Sequence, residues 1–418
     1  MIKQIYGALE FTDREIKLVV GEFYNTRFNI IRVEKEPCKG IEDFEIKDRE
    51  AVKKSVTNII RRANELIGAS IERVILIIPS VNFKRFPLKV NVKTANGIVS
   101  KNDINRAVKK AMKTSIDRDV MIINAVCVKY TCNGISTRRI PEKEISEDLI
   151  VDIDLLCADK AITFDYVSVL EECGVQILDI SLDMFAVCKE AALFEQTVNQ
   201  NIILLKIDYE TTTLALISKG KLVNCEILYN GLDSILKKVN DKYHLPYNVI
   251  DRLVKYNTTF TPNEFSDDSI FAWKNNEGVS NSISESELSD NVKEATRNLA
   301  VEIKETCNPI LNSGQTNIVV VGEGAKMDAL VKMISDETKV NAKTYFPETI
   351  GIRDSAYVTL LGSFYGYRDM LQINDNMQSS INLFQFSELV EKKTIDNEEE
   401  SITARIKNLF EPKKREEL

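Results

Sequence analysis

The sequence predicts an α/β protein made of two copies of one folding unit with a cleft between them. The strand–turn–strand pattern of residues 2–33 recurs at residues 201–231, which contain the run IILLKIDYETTTLALISKGKLV. The buried strand pattern ERVILIIPS of the first copy has a counterpart in the second, TNIVVV, where a glycine turn leads into a helix. Such a duplicated α/β unit encloses a cleft, the usual place for a ligand.

The individual elements follow from local patterns. Apolar residues recur at helical spacing over residues 49–67, and Gly68 follows where a helix C-cap is expected. Residues 82–159 alternate strands with one helix, which Ser100 opens as N-cap, and this predicts a compact module inserted into the first copy. In the second copy, residues 234–311 are mostly helical, with a polar stretch around Trp273 that is either a long loop or a small hairpin.

Composition narrows the function. With 418 residues the chain is long enough for two ordinary domains, and its net charge of −8 argues against a nucleic-acid partner. No apolar run reaches the eighteen or so residues of a spanning helix. The single histidine, His244, and eight scattered cysteines without a CxxC pair disfavour a metal centre and a Ser/His/Asp or Cys/His enzyme.

Three segments resemble motifs of the actin-like ATPase superfamily. GALEFTDREIKLVVGE stands where that superfamily has its first phosphate loop, KIDYETTTLAL stands at the second, and VVVGEGAKMDAL resembles the adenosine-motif strand and turn. The inserted module resembles that of the FtsA family of bacterial cell division proteins, because actin, MreB and sugar kinases place their extra subdomain elsewhere. The resemblance covers nearly the whole chain to about residue 367.

This resemblance implies duplicated actin-like (RNase H-like) domains with a central cleft, an inserted α+β subdomain in the first half and a helical subdomain in the second. The implied ranges are 1–81 and 160–198 for the first domain, with a closing helix at 353–367; 82–159 for the inserted subdomain; 199–233 and 312–352 for the second domain; 234–311 for the helical subdomain; 368–400 for a flexible linker; and 401–418 for an amphipathic membrane-targeting helix.

The resemblance also implies an ATP site in the cleft. The residues that match its positions are Thr12, Asp13, Lys17, Asp208, Thr211, Thr212, Gly231, Gly322, Glu323 and Gly324, and those that could hold Mg²⁺ are Glu10, Asp13 and Asp208. Both phosphate loops are degenerate. Lys206 replaces the metal-organising aspartate, and Asp208, Tyr209 and Glu210 replace the glycines that let backbone N–H groups converge on an anion.

The degenerate loops leave three outcomes open. A carboxylate about 4 Å from a phosphate oxygen costs on the order of 4 kcal/mol at an effective dielectric near 20, which predicts a site that no longer binds tightly. A Mg²⁺ ion that bridges the carboxylates to the phosphates would permit weak ATP binding, and hydrolysis is the third outcome. We expect no enzyme beyond a weak ATPase.

The carboxyl-terminal residues predict a membrane-surface helix after a polar linker. Ile402, Ile406, Leu409 and Phe410 fall on one face of a helical wheel, and Arg405 and Lys407 flank that face, where they can reach phospholipid headgroups. The FtsA family carries its membrane-targeting helix at this place. The apolar run INLFQFSELV, within residues 381–390, is expected to dock either on a partner or on the body of the protein.

The function implied by the resemblance is that of an FtsA-like adaptor. It would form an actin-related homopolymer, bind FtsZ filaments, and tether them to the cytoplasmic face of the membrane at the division septum. One alternative is a PilM-like pilus-assembly adaptor, which should lack the terminal helix. The other is a sugar or acetate kinase, which needs an intact phosphate loop and a catalytic carboxylate.

Overall fold

The computed structural model describes residues 4–24, 27–261, 267–274, 278–311, 314–349, 351–373, 378–383 and 385–386. The predicted terminal helix at 401–418, with Ile402, Arg405, Ile406, Lys407, Leu409 and Phe410, lies outside them. Among the described residues, none of the helices has the length and apolar character needed to cross a bilayer.

The first half of the chain carries both the first actin-like unit and the insertion. Its elements are β1 (Gln4–Phe11), β2 (Glu15–Tyr24), β3 (Arg27–Pro37), β4 (Ile41–Glu42), β5 (Glu45–Ile46), α1 (Arg49–Ile67), β6 (Arg73–Ile78), β7 (Lys84–Lys93), α2 (Lys101–Ala111), β8 (Val120–Cys132), β9 (Ile135–Thr137), β10 (Asp148–Asp159), α3 (Lys160–Glu172), β11 (Gln176–Leu182), α4 (Asp183–Glu190) and α5 (Leu193–Gln196).

The second half repeats the unit and adds helices. Its elements are β12 (Asn201–Ile207), β13 (Thr212–Ser218), β14 (Lys221–Leu228), α6 (Leu232–Tyr243), α7 (Tyr247–Tyr256), β15 (Ser269–Lys274), β16 (Ser280–Ser284), α8 (Glu285–Leu311), β17 (Thr316–Val321), α9 (Asp328–Thr338), β18 (Ala342–Thr344) and α10 (Val358–Ile373), with short 3₁₀ turns at Glu323–Lys326 and Ser355–Tyr357.

The two halves share one sheet topology. The first sheet has the order β11-β6-β1-β2-β3 and the second the mirrored listing β14-β13-β12-β17-β18, so three antiparallel strands are followed by two parallel ones in each. Strands β1, β6 and β12 are almost wholly buried, as expected of strands covered on both faces. The predicted duplicated α/β fold is confirmed.

Helices cover both faces of the first sheet. One face packs against α1, α3 and α4, and the other against α10 through Leu360, Leu361 and Phe364. Helices α4 and α10 cross at backbone contact, because a Cβ on Gly362 would lie only 1.8 Å from the carbonyl oxygen of Ala186. This close crossing fixes α10 to the first half.

The insertion forms its own small α+β body. Strands β7, β10, β8 and β9 make a separate antiparallel sheet, on which α2 packs with Ile104, Ala107 and Val108 fully or almost fully buried. Ser100 and Asp103 form a capping box at the start of α2, because each side chain reaches the other's backbone. The helix therefore begins where the sequence predicted.

The helical part of the second half combines α6, α7 and α8 with a hairpin. Strands β15 and β16 pair antiparallel, so the polar stretch around Trp273 contains a small hairpin. Trp273 packs edge-on against Tyr243 with ring centroids 5.9 Å apart, which ties the hairpin to α6.

The segment predicted as linker begins later than expected. Helix α10 continues to Ile373, past the predicted end at residue 367. Residues 378–383 and 385–386 then dock on the first half: the N–H of Ser380 donates to the Ile5 carbonyl at 2.9 Å, and Ile381 is 2% exposed. The apolar run starting at residue 381 therefore begins by packing on the body, because its aliphatic side chains complete the core beneath β6.

Candidate functional site

The candidate site lies where three turns meet in the cleft between the halves. These are Thr12–Arg14 after β1, Asp208–Thr211 after β12, and Gly322–Lys326 after β17. The first two turns touch directly, because the N–H of Glu210 donates to Asp13 Oδ2 at 2.6 Å. Parallel strands place their carboxyl ends at one edge of a sheet, so both halves present these turns to the same cleft.

The structure brings several of the predicted site residues together around a very small space. Thr12, Asp13, Asp208 and Thr211 line one cavity together with Glu10, Asp183 and Lys206, and its volume is about 10 Å³. That volume is about the minimum for one water molecule. Thr212 is fully buried, and its hydroxyl donates to the Asn230 carbonyl at 2.8 Å.

The predicted glycines hold the turns against one another. Gly322 has φ 86° and ψ −168°, a region open essentially to glycine alone, and a Cβ there would lie 2.6 Å from the Ile207 carbonyl oxygen. At Gly231 a Cβ would lie 2.6 Å from the Asp208 carbonyl oxygen, and at Gly324 it would lie 2.5 Å from the Ile207 side chain. All three glycines therefore serve close packing around β12.

Lys206 occupies the centre of a carboxylate cluster. Its Nζ lies 2.7 Å from Glu10 Oε1, 3.4 Å from Asp183 Oδ2 and 3.6 Å from Asp208 Oδ2. Burial alone would raise the pKa of Glu10, but the positive charges of Lys206 and Lys17 hold that pKa below its ordinary value. Burial raises the pKa of Asp183 in spite of the nearby Lys206 charge. The cluster thus contains an ammonium bound by carboxylates.

The predicted magnesium group is divided in the structure. Glu10 and Asp208 face Lys206, whereas Asp13 turns toward the backbone of Glu210. Within the described ranges, the Asp, Glu, Cys and His side chains form no group of three or more that could hold a metal ion. Glu10, Asp13 and Asp208 line the same small cavity, and the ammonium of Lys206 lies within 3.6 Å of Glu10 and Asp208.

Glu323 forms the opposite arrangement, a carboxylate among lysines. Its oxygens lie 2.7 Å from Lys255 Nζ, 3.1 Å from Lys326 Nζ and 3.8 Å from Lys17 Nζ. Burial would raise the pKa of Glu323, but these three positive charges outweigh it and lower the pKa to about 2. Lys17, which the resemblance assigns to phosphate, donates to the Ala356 carbonyl at 3.2 Å.

Asp13 is a carboxylate in an electrostatically unfavourable position. Burial, followed by the negative charge of Asp208, raises its pKa to about 7. Its Oδ1 atom is buried without a hydrogen-bond partner among the described residues. A proton on Asp13 would relieve the repulsion from Asp208, which is one reason why the pKa of Asp13 is raised.

Arg14 is a further cross-cleft contact. Its guanidinium lies over the rings of Tyr209 and Tyr247, 4.5 and 4.1 Å from their centroids, and forms an ion pair with Asp233. All three partners belong to the second half. Arg14 therefore inserts into an aromatic pocket of the opposite domain.

Comparison with known proteins supports the resemblance to FtsA. No family model matches the chain. Among curated proteins, it is 24% identical over 366 residues to the cell division protein FtsA of Bacillus subtilis, covering 86% of this chain and 82% of that protein. It is 22% identical over 382 residues to FtsA of Streptococcus pneumoniae, covering 90% of this chain and 83% of that protein. The chain resembles FtsA over most of its length.

Solved structures establish the fold. The PilM-PilN type IV pilus biogenesis complex matches with TM-score 0.57 and 12% identity over 86% of this chain and 98% of that one. The ethanolamine utilization protein EutJ from Carboxydothermus hydrogenoformans matches with TM-score 0.51 and 12% identity, covering 87% of this chain and 91% of that one. MreB5 of Spiroplasma citri bound to ADP matches with TM-score 0.50 and 14% identity, covering 89% of this chain and 99% of that one. The fold is actin-like.

The FtsA resemblance located the three turns but not all residues that act in them. Asp183 could have been found, because it directly follows β11, whose last two residues, Ser181 and Leu182, are buried. No local sequence pattern marked Arg14 or Lys255 as site residues, because their partners Asp233 and Glu323 lie 219 and 68 positions away along the chain.

Proposed function

We propose that this protein is an FtsA-like adaptor that forms actin-related polymers and tethers FtsZ filaments to the cytoplasmic membrane at the division septum. The observation that carries the proposal is the similarity to FtsA across 86% of this chain and 82% of the relative. The inserted subdomain between β6 and α3, a separate sheet with its own core, agrees with it.

The proposed membrane contact is the amphipathic stripe Ile402, Ile406, Leu409 and Phe410. Four such side chains, half sunk in the interface at about 1.5 kcal/mol each, contribute roughly 6 kcal/mol. Arg405 and Lys407 add about 1 kcal/mol each on an anionic leaflet. Ordering the peptide offsets much of this, so one copy binds reversibly and a polymer binds firmly through effective concentration.

Co-sedimentation with anionic vesicles tests the tether. We compare the full chain with a chain stopped at Glu400, each with and without FtsZ. The full chain should carry FtsZ to the vesicles, and the truncated chain should not. A matched pair sharpens the test: Ile406→Glu with Phe410→Glu should abolish binding, whereas Ala404→Glu with Asn408→Glu adds the same charge on the opposite face and should weaken it far less.

Three results would contradict the proposal. Equal sedimentation of the full and truncated chains would remove the membrane role of residues 401–418. Binding of vesicles without recruitment of FtsZ would remove the adaptor role, whereas the absence of both vesicle binding and FtsZ recruitment would favour the PilM-like alternative. A monomer-trapped variant that sediments as well as the wild type would show that polymerisation is not needed for attachment.

We also propose that ATP and Mg²⁺ bind weakly or not at all in this cleft, and that turnover is at most slow. The support is physical: the space between the loops is about 10 Å³, and Lys17 and Lys206 are already paired with carboxylates. Calorimetric titration with MgATP and a phosphate-release assay test this. Micromolar affinity for MgATP or steady release of phosphate would contradict this proposal and favour the kinase hypothesis.

A further inference from the structure

The carboxylates of the cleft surround a cation that belongs to the chain itself, the ammonium group of Lys206. Glu10 lies near the carboxyl end of β1, and Asp183 begins α4 directly after β11, so both belong to the first half. Lys206, near the carboxyl end of β12, belongs to the second half. The contacts of 2.7 and 3.4 Å from its Nζ to Glu10 and Asp183 therefore cross the cleft.

The carboxylates are held by the scaffold in positions that suit one ammonium. The second oxygen of Glu10 accepts from Thr359 Oγ1 at 2.7 Å, and the second oxygen of Asp183 accepts from Ser80 Oγ at 2.6 Å. Lysine has three N–H donors, and three carboxylates face Nζ within 3.6 Å. Glu10 and Asp183 are 2% and 1% exposed, so little water competes for these contacts.

We propose that the ammonium of Lys206 is the resident cation of this cleft, where it takes the place of a divalent metal ion by binding Glu10, Asp183 and Asp208 and so holds the two halves together. The inference concerns the purified chain alone, so it stands or falls separately from the tethering of FtsZ. It gives the lysine that replaces an expected acidic residue a defined role, the bridging of the two halves.

The test is chemical rescue of Lys206→Ala, read by thermal unfolding. Removing one partner of a buried charge cluster is strongly destabilising, so Tm should fall by roughly 5–10 °C. Methylammonium chloride, which matches the end of the lost side chain, should restore much of that fall. Tetramethylammonium chloride, which has no N–H donor, should not.

Two controls accompany this variant. Lys189→Ala removes a lysine paired at 2.6 Å with Asp369 outside the cleft, and methylammonium should leave its Tm unchanged. Lys206→Met removes the charge but fills the space, so it should be destabilised without being rescued. A Tm of Lys206→Ala within the error of the wild type, or equal responses to the two salts, would overturn the proposal.

The wild-type protein gives a second, independent test if Lys206→Ala does not fold. Titration of the wild type with MgCl₂, with and without ATP, should give no saturable heat and no rise in Tm, because a ligand that binds the folded state stabilises it. Saturable binding of Mg²⁺ or MgATP accompanied by a rise in Tm would overturn the proposal, since the cation site would then accept metal in place of Lys206.

Discussion

Lys206 Nζ lies 2.7 Å from Glu10 Oε1, and this contact joins β1, the first strand of one α/β unit, to β12, the first strand of the other. The Arg14–Asp233 ion pair, the Lys17–Glu323 pair and the bond from the Glu210 N–H to Asp13 cross the same cleft. In each case a charged side chain of the chain itself bridges the halves.

Arg14→Ala should lower the free energy of unfolding by about 1–2 kcal/mol, because it removes a part-buried ion pair and two cation–π contacts at once. Urea denaturation measures the change. Arg49→Ala is the matched control, since Arg49 pairs with Glu172 at 2.6 Å on the surface of the first half, and should cost less than about 1 kcal/mol. Equal losses in the two variants would contradict a cross-cleft role for Arg14.

Asp13→Asn should change how stability depends on pH. The pKa of Asp13 in the folded protein, about 7, lies above its ordinary value of 3.8 because of burial and the Asp208 charge. Between these values the folded state keeps a proton that the unfolded chain releases, so wild-type stability should fall as pH rises from about 4 to 7. Thermal unfolding across this range should show a shallower fall in the variant.

Glu190 also contributes to the dependence of stability on pH, so a Glu190 variant is compared with the Asp13 variant. Burial raises its pKa to about 7 as well. Glu190→Gln should therefore flatten the pH dependence to a similar extent, and the two changes together should flatten it further. A slope in Asp13→Asn identical to that of the wild type would disprove the neutral-pH titration of Asp13.

Gly322→Ala should destabilise the protein by about 3 kcal/mol or more. The new Cβ would meet the Ile207 carbonyl oxygen at 2.6 Å, in a backbone region that other residues avoid. Gly174→Ala is the control, because Gly174 also has a positive φ, 77°, but no atom within 4 Å of its would-be Cβ. It should cost about 1–2 kcal/mol. Comparable losses of stability in the two variants would mean that backbone strain alone, and not the contact with Ile207, destabilises Gly322→Ala.

Ser380→Ala should loosen the docked segment 378–383. The Ser380 hydroxyl is fully buried and accepts from the Gly7 N–H at 2.8 Å, so its loss leaves that donor unsatisfied at about 1–3 kcal/mol. Hydrogen exchange of residues 378–383 should speed up markedly. Ser269→Ala, which removes an exposed hydroxyl, should leave exchange unchanged there. Unaltered exchange in Ser380→Ala would show that the hydroxyl does not hold the segment.

The sequence by itself predicted the duplicated α/β fold and the inserted module from local signals, namely the alternation and length of the strands and the helical spacing of apolar residues over 49–67. The resemblance to FtsA, with glycines at 322 and 324, located the three turns of the cleft. Local signals suffice for the fold because each element buries a face set by residues that are close together in the chain.

Only the tertiary structure decided how the charges of the cleft are paired. Glu10 and Lys206 are 196 positions apart, and Arg14 and Asp233 are 219 apart, so no local pattern links them. The sequence marked Lys206 as a departure from the family and left Glu10 and Asp208 as candidate metal ligands. Folding brings the ammonium between those carboxylates, and at a few ångströms in a buried site the Coulomb attraction decides which groups neutralise one another.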